Sequence, residues 1–387
     1  MEAAMKRKQA RFTVVVFLVL LFGLSLANAL KKDTIFSENE NRYLAGKPEW
    51  SVARFFDGVF GQEFETYLTD QFLGRDAWVS VKTLAELAMG KRESNHVFFA
   101  KDGYLIERHD ASELASSYYE KNCSYLSQFI AAQTEKLGMG RVQVLLAPAA
   151  SQVLTEKLPA YAPGWASREL SDHLRPLLPE GTLVDVQPVL AEAQDSYIYY
   201  RTDHHWTTLG AYYAYRVWMN ARGETPWQLD DFQAEPLSHT FLGTVYSKAN
   251  YPFAEPDTMY RYCPVREDIR VTVTYNQEEE VTYSSLYMEE YLSQKDQYPV
   301  YLNGNQALTR IRTNVEEERK LLIIKDSYAN SFTPFAVNHF QEVQMIDLRY
   351  FNGSLSAYIQ GEGITDLLFL YGGPQFIEDR NLGKLLR

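Results

Sequence analysis

Two short stretches hold side-chain types that cooperate in ester chemistry. In YYRTDHHW (199–206) Asp203 stands two residues before His205, and in RKLLIIKDSYANSFTPF (319–335) Ser327 sits in a polar turn after an apolar run. A serine hydroxyl is a weak nucleophile that needs a base, and the base needs a carboxylate to fix its tautomer. Residues at i and i+2 of an extended or turning segment emerge on one side. Asp203 is therefore expected to orient His205, with His204 pointing away. The same Asp/His density also suits a metal, so both chemistries must be weighed.

These groups need rigid elements behind them. The run ending at Lys325 reads as a buried strand and the segment from Tyr328 or Ala329 as a helix, which puts Ser327 at the carboxyl end of a sheet, where open α/β sheets hold ligands. Backbone N–H groups at such a helix start, that of Tyr328 first, can face an oxyanion. Alone, Ser327 or Asp326 could simply cap the helix. The pairing with Asp203 and His205 favours chemistry. Thr207 or Thr208 caps LGAYYAYRVWMN, a helix ending before Gly223.

Elsewhere, 113–137 and 167–178 read as helices, while 141–148, 182–186, 343–348 and 364–371 read as strands. Short apolar runs alternating with helices predict a mainly parallel sheet in a three-layer α/β/α sandwich. Residues 110–387 form this domain. An insertion at about 225–300 interrupts it, where IRVTVTYNQEEEVTYSSLY alternates as an exposed antiparallel hairpin. Residues 31–109 read as a polar arm, one or two amphipathic helices carrying Phe55, Phe56, Val59, Phe60 and Phe64, and a hairpin turning at Asp102-Gly103.

The chain opens with a cationic segment, MKRKQAR, before nineteen largely apolar residues from Phe12 to Leu30. Residues 1–30 predict a signal peptide cleaved near Ala29, after Ala27-Asn28-Ala29, or an uncleaved membrane anchor. Either places the rest outside the cytoplasmic membrane. With 38 Lys and Arg against 50 Asp and Glu, the net charge of −12 argues against nucleic acid. The 27 Tyr, 21 Phe and 6 Trp lean weakly toward carbohydrate. Cys123 and Cys263 are two structural cysteines, buried or paired.

Asp-His-His-Trp, KDSYANSF, IDLRYF (346–351), YLNGNQ (301–306) and NRYLAGKP (41–48) together resemble the DHHW protein family, which is similar to the periplasmic alginate O-acetyltransferase proteins and to SGNH-hydrolase-like domains. The resemblance covers nearly all of the chain after residue 30. It implies Ser327 as nucleophile, His205 as general base and Asp203 as its orienter, in the chain order Asp, His, Ser of those relatives. It also implies that Arg349 and Tyr371 line the site and that Gly304 and Asn305 supply oxyanion donors. Lys-Asp-Ser replaces the Gly-Asp-Ser of SGNH enzymes, which removes a glycine approach to the nucleophile.

The implied activity is transfer or hydrolysis of an acyl ester, with acetyl the expected group, on a cell-surface or exported polysaccharide and without a cofactor. Transfer needs a donor outside the cell, hence a membrane-bound acyltransferase as partner. A polysaccharide-binding or assembly factor with an inherited fold is the alternative from another class. Asp203, His204 and His205 also resemble the DHH string of manganese phosphoesterases, but no DxD or HxxxH motif accompanies them. Trp206 stands where palmitoyl transferases need Cys.

Overall fold

The computed structural model describes residues 2–37, 42–165, 168–276 and 281–387. Asn41 of the NRYLAGKP motif, Ser167 and the expected hairpin turn at 277–280 lie outside the described residues. Two compact units emerge, one of residues 1–90 with 250–252 and one of 91–249 with 253–387.

In the first unit a helix covers Glu2–Leu30, and its stretch Arg7–Leu30 is long and apolar enough to cross a membrane. Helices Val52–Phe56, Val59–Asp70 and Arg75–Ala88 follow. Asp70 and Gln71 hold the arm down: the Ala45 N–H donates to Asp70 Oδ2 at 2.9 Å and the Thr34 N–H to Gln71 Oε1 at 2.9 Å. The sequence predicts one or two helices here, but there are three. Gly58 and Gly74, both in the left-handed region, break the run. Their apolar residues do not form a core, since Phe55, Phe56, Val59 and Phe64 are all exposed.

The second unit is built on an eight-stranded sheet. Its strands are β1 (Val142–Ala147), β2 (Leu183–Val184), β3 (Val271–Tyr275), β4 (Thr282–Tyr283), β5 (Leu308–Thr313), β6 (Lys320–Lys325), β7 (Glu342–Ile346) and β8 (Asp366–Gly372). They lie in the order β4-β3-β5-β7-β6-β8-β1-β2. From β7 to β2 every pairing is parallel, and from β4 to β7 every pairing is antiparallel. The fold is thus mixed α/β with a large, mostly parallel sheet. The hairpin expected as an exposed insertion instead extends this sheet through β5, because Val273 and Tyr275 turn one face of β3 into the core. Phe232–Phe241 and Asp257–Pro264 pair separately.

Alternation along the central strands builds two cores. Leu321 and Ile323 of β6 face one cluster with Phe332, Tyr215 and Trp218; Leu322 and Ile324 face the other with Leu126, Phe129 and Ile130. Helices Thr208–Ala221 and Ala329–Ala336 cover the first face, and helix Ser117–Leu137 covers the second. That last helix starts later than the sequence suggests, because Ser116 accepts the Tyr119 N–H and caps it there. The helix expected over 167–178 is only Glu169–Leu174, tightening into a 3₁₀ turn where Pro176 follows. Near its start the unit also carries a small antiparallel sheet, Glu93–Ser94, Val97–Phe99 and Leu105–Glu107, turning at Asp102-Gly103.

Candidate active site

Strand β6 ends at Lys325, and helix Ala329–Ala336 begins four residues on, so Asp326, Ser327 and Tyr328 form the turn. Asp326 ties it. Its Oδ1 accepts the Tyr328 N–H at 2.9 Å, and its Oδ2 accepts the Gly372 N–H at 2.7 Å at the end of neighbouring β8. Burial pushes the Asp326 carboxyl up to about 6, against these two N–H groups. Gly372 has to be glycine, since a Cβ there would stand 2.6 Å from the Tyr328 ring.

Residues 199–206 approach from the other side. Tyr199 and Trp206 bridge, and Thr207 caps helix Thr208–Ala221 by accepting the Gly210 N–H. Asp257 anchors the loop: its carboxylate accepts the Arg201 N–H at 2.9 Å, the Thr202 N–H at 2.8 Å and the Tyr197 and Thr202 hydroxyls at 2.5 Å. The two stretches then bond reciprocally. The Tyr328 hydroxyl donates to the His204 carbonyl at 2.6 Å, and Trp206 Nε1 donates to the Tyr328 carbonyl at 3.1 Å. Trp206 is therefore a buried strut between loop and turn.

His205 Nε2 stands 2.7 Å from Ser327 Oγ, and His205 Nδ1 stands 2.5 Å from Asp203 Oδ1, with His205 and Asp203 both buried. A carboxylate can only accept, so Nδ1 carries the proton and Nε2 accepts from the serine. Asp203 Oδ2 accepts the Thr244 N–H at 2.8 Å and the Thr244 hydroxyl at 2.9 Å. Burial alone would raise Asp203, but the two imidazoles and the Thr244 N–H hold it well below the usual carboxylate range. Tyr298 stacks flat on the His205 ring, centroids 3.9 Å apart and planes within 8°, while its hydroxyl donates to the Ser327 carbonyl at 3.3 Å.

Ser327 opens into a cavity of about 480 Å³ whose walls include His204, Glu107, His109, Lys248 and Gln375. His204 does not point away as expected. Its ring lies 3.9 Å from that of His205, and its Nδ1 reaches Thr244 Oγ1 at 2.7 Å. Ligand atoms of Asp203, His204 and His205 lie within 4.8 Å of one another, a spacing that a metal could use. Yet each Asp203 oxygen already accepts two donors, and both His205 nitrogens are engaged. The arrangement suits proton transfer better than metal ligation.

The expected oxyanion and substrate residues are placed differently. The Tyr328 N–H is committed to Asp326 rather than open to an oxyanion, although the Tyr328 ring does line the cavity. Gly304 and Asn305 offer acceptors, not donors, to buried Lys325: its Nζ reaches Asn305 Oδ1 at 2.9 Å and the Gly304 carbonyl at 3.5 Å. Arg349 is paired through two nitrogens with Asp347, and its charge bears on His205 and Asp326 without the side chain lining the cavity. Tyr371 is buried, stacked on Phe369 at 4.6 Å, and likewise outside the lining. Gly372, its neighbour, matters instead. Cys123 and Cys263 are both free.

Asp257, Thr244 and Tyr298 escape sequence reasoning. Asp257 opens a strand, Thr244 a short helix and Tyr298 a 3₁₀ turn, and no spacing rule connects PDT (256–258) or GTV (243–245) with residues 202–205.

Burial first, and His204 next, push His205 below the ordinary imidazole value of 6.5 to about 4, against the pull of Asp203. The base works only when neutral. Turnover is therefore expected to persist below pH 6.5 and to fall as the pH drops through about 4. The same depressed value makes the His205 contribution to stability complete above 6.5 and lost as the pH falls through about 4. A kcat/KM profile checks this, and an acid limb at or above 6.5 contradicts it. In His204→Asn the limb should move upward.

Fold and site together define a class: an α/β protein with a Ser-His-Asp hydrogen-bonded chain at the carboxyl end of its sheet. Residues 184–346 match the family model described as DHHW protein, so the resemblance drawn from the motifs holds. No curated protein matches the chain. Among solved structures, a DHHW family protein from Eubacterium siraeum is similar at 26% identity and a TM-score of 0.64, covering 76% of this chain and 96% of that one. Bacillus cereus PatB1 is similar at 21% identity and a TM-score of 0.58, over 72% and 96% of the two chains. The O-acetyltransferase domain of Pseudomonas putida AlgJ is more remote, at 14% identity and a TM-score of 0.43, over 73% and 92%.

Proposed function

We propose that this protein is an extracytoplasmic O-acyl transferase or esterase that moves acetyl groups on a cell-surface or exported polysaccharide, with Ser327, His205 and Asp203 as its triad on an SGNH-like α/β/α scaffold. The observation that carries this reading is the unbroken chain Ser327 Oγ to His205 Nε2 at 2.7 Å and His205 Nδ1 to Asp203 at 2.5 Å, opening on a cavity. The choice of an acetyl ester and a polysaccharide rests on the family motifs. The apolar helix Arg7–Leu30 supports an address outside the cytoplasmic membrane, as anchor or as signal.

Ser327 Oγ attacks the acetyl carbonyl carbon while its proton passes to His205 Nε2. Asp203 steadies the imidazolium that forms. The C–O bond of the donor ester then breaks, and the leaving alkoxide takes the proton from His205, which leaves an acetyl-serine. A second hydroxyl attacks that ester carbonyl and gives its proton to His205; the C–Oγ bond then breaks and Ser327 Oγ takes the proton back. A sugar hydroxyl makes the reaction transfer and water makes it hydrolysis. The transfer branch calls for a membrane-bound acyltransferase as donor.

One of the similar structures is PatB1 with a sulfonyl adduct, and the same class of reagent tests this chain. A sulfonyl fluoride should bond its sulfur to Ser327 Oγ with loss of fluoride, the proton going to His205. Intact-mass analysis of the full chain in detergent should find one adduct, absent from Ser327→Ala, together with loss of acetyl-ester turnover. An adduct on another residue, or none, would remove the nucleophile from this reading.

A further inference from the structure

A second cavity, of about 680 Å³, opens in the same unit beside the end of β7, and among the described residues no charged side chain lines it. That volume lies within the range of roughly 300–1,000 Å³ usual for small-molecule sites. Its aromatic wall comes from Tyr350, Phe351 and Tyr358. Tyr350 is 52% exposed, and Phe351 stands edge-on to Tyr358 with centroids 5.8 Å apart. Gly353 keeps this wall clear, because a Cβ there would meet the Phe351 ring at 2.8 Å.

Amides face the rings. Asn305 and Gln306 stand on a turn whose three preceding residues, Leu302, Asn303 and Gly304, all have positive φ, a conformation costly for leucine. Side chains hold the turn in that shape: Tyr291 donates to Asn303 Oδ1 at 2.6 Å, Gln306 Nε2 to the Asn303 carbonyl at 2.7 Å, and Lys325 Nζ to Asn305 Oδ1 at 2.9 Å. With its oxygen committed to Lys325, Asn305 has its N–H₂ end left to donate. Lys325 is two residues before Ser327, and β7 pairs in register with β6, Ile346 opposite Ile324. The cavity and the serine therefore share the carboxyl edge of one sheet.

Rings that stack, an amide that donates and a lining that is uncharged among the described residues fit a neutral pyranose. A uronate would bring a negative charge to a chain of net −12 and find no cation in the described lining; Arg349, 5.7 Å from the Tyr350 ring centroid, is already paired with Asp347. We propose that this cavity is a neutral-sugar subsite, holding one unit of a glycan by stacking on Tyr350 and Phe351 while another unit presents its hydroxyl or ester to Ser327. The glycan as substrate rests on the function proposed above. Sugar binding in the cavity does not.

The test is titration of the full chain in detergent with cellohexaose, chitohexaose and mannohexaose, and with a galacturonate hexamer as the charged control. At least one neutral oligosaccharide should bind with a Kd of about 1 mM or tighter. Tyr350→Ala should weaken it about tenfold, the scale of one lost stacking contact. Ser327→Ala should bind as the wild type does, so loss of turnover in that variant bears on the triad and not on the subsite. Turnover of a small chromogenic acetate should be unchanged in Tyr350→Ala. No neutral hexamer binding, equal binding by Tyr350→Ala, or preference for the galacturonate hexamer would each overturn the subsite.

Discussion

Ser327→Ala should lower acetyl-ester turnover by about 10³-fold or more, His205→Ala should do about the same, and the double variant should be little worse than either. The reason is geometric. Among the described residues Ser327 Oγ has one base within reach, His205 Nε2 at 2.7 Å, and neither atom moves a proton without the other. Groups that act as one unit give losses that do not add. Thermal unfolding should show the Ser327→Ala chain still folded, because its hydroxyl makes little else: the Ser327 carbonyl, not Oγ, accepts from Tyr298 and from the Asn330 N–H. Additive losses, or turnover surviving in either single variant, would dissolve the triad.

Asp203→Asn should cost about 10⁴-fold in kcat. An amide at this position can present N–H₂ to His205 Nδ1, which then has to carry a lone pair, and Nε2 becomes a donor unable to take the serine proton. Gly243→Ala reaches the same carboxylate without touching its chemistry. A Cβ at Gly243 would stand 2.7 Å from Asp203 Cγ, so the side chain must shift and lose the Thr244 N–H and hydroxyl that hold Oδ2. Turnover should fall in this variant too, while Gly243→Ser should fare no better. An unchanged kcat in Asp203→Asn would mean that His205 does not act as the base.

Local patterns carried much of this. An apolar run ending in Lys-Asp-Ser before a helix, and Asp two residues ahead of His before a Thr cap, are short-range signals, and both segments lie where those signals imply. The same holds for most of the sheet, because continuous apolar runs such as LLII and LLFL, short and rich in branched side chains, suit strands buried on both faces. Periodicity did less well wherever a single residue decided a boundary. Ser116 delays one helix, Pro176 cuts another short, and two glycines divide the helices of the first unit.

The sequence by itself determined which residues were chemically able to form the site; the tertiary structure alone decided which of them meet. Ser327 and His205 are 122 residues apart, and no local rule brings them within a hydrogen bond. Reciprocal bonds through Trp206 and Tyr328, and the Asp257 clamp on the loop, do that. The Tyr328 N–H shows the same dependence. Whether a backbone N–H is free depends on who else can reach it, and the Asp326 carboxylate takes that of Tyr328 from two residues away. Gly304 and Asn305 turned to Lys325 instead, because an ammonium buried that deeply needs every acceptor within reach.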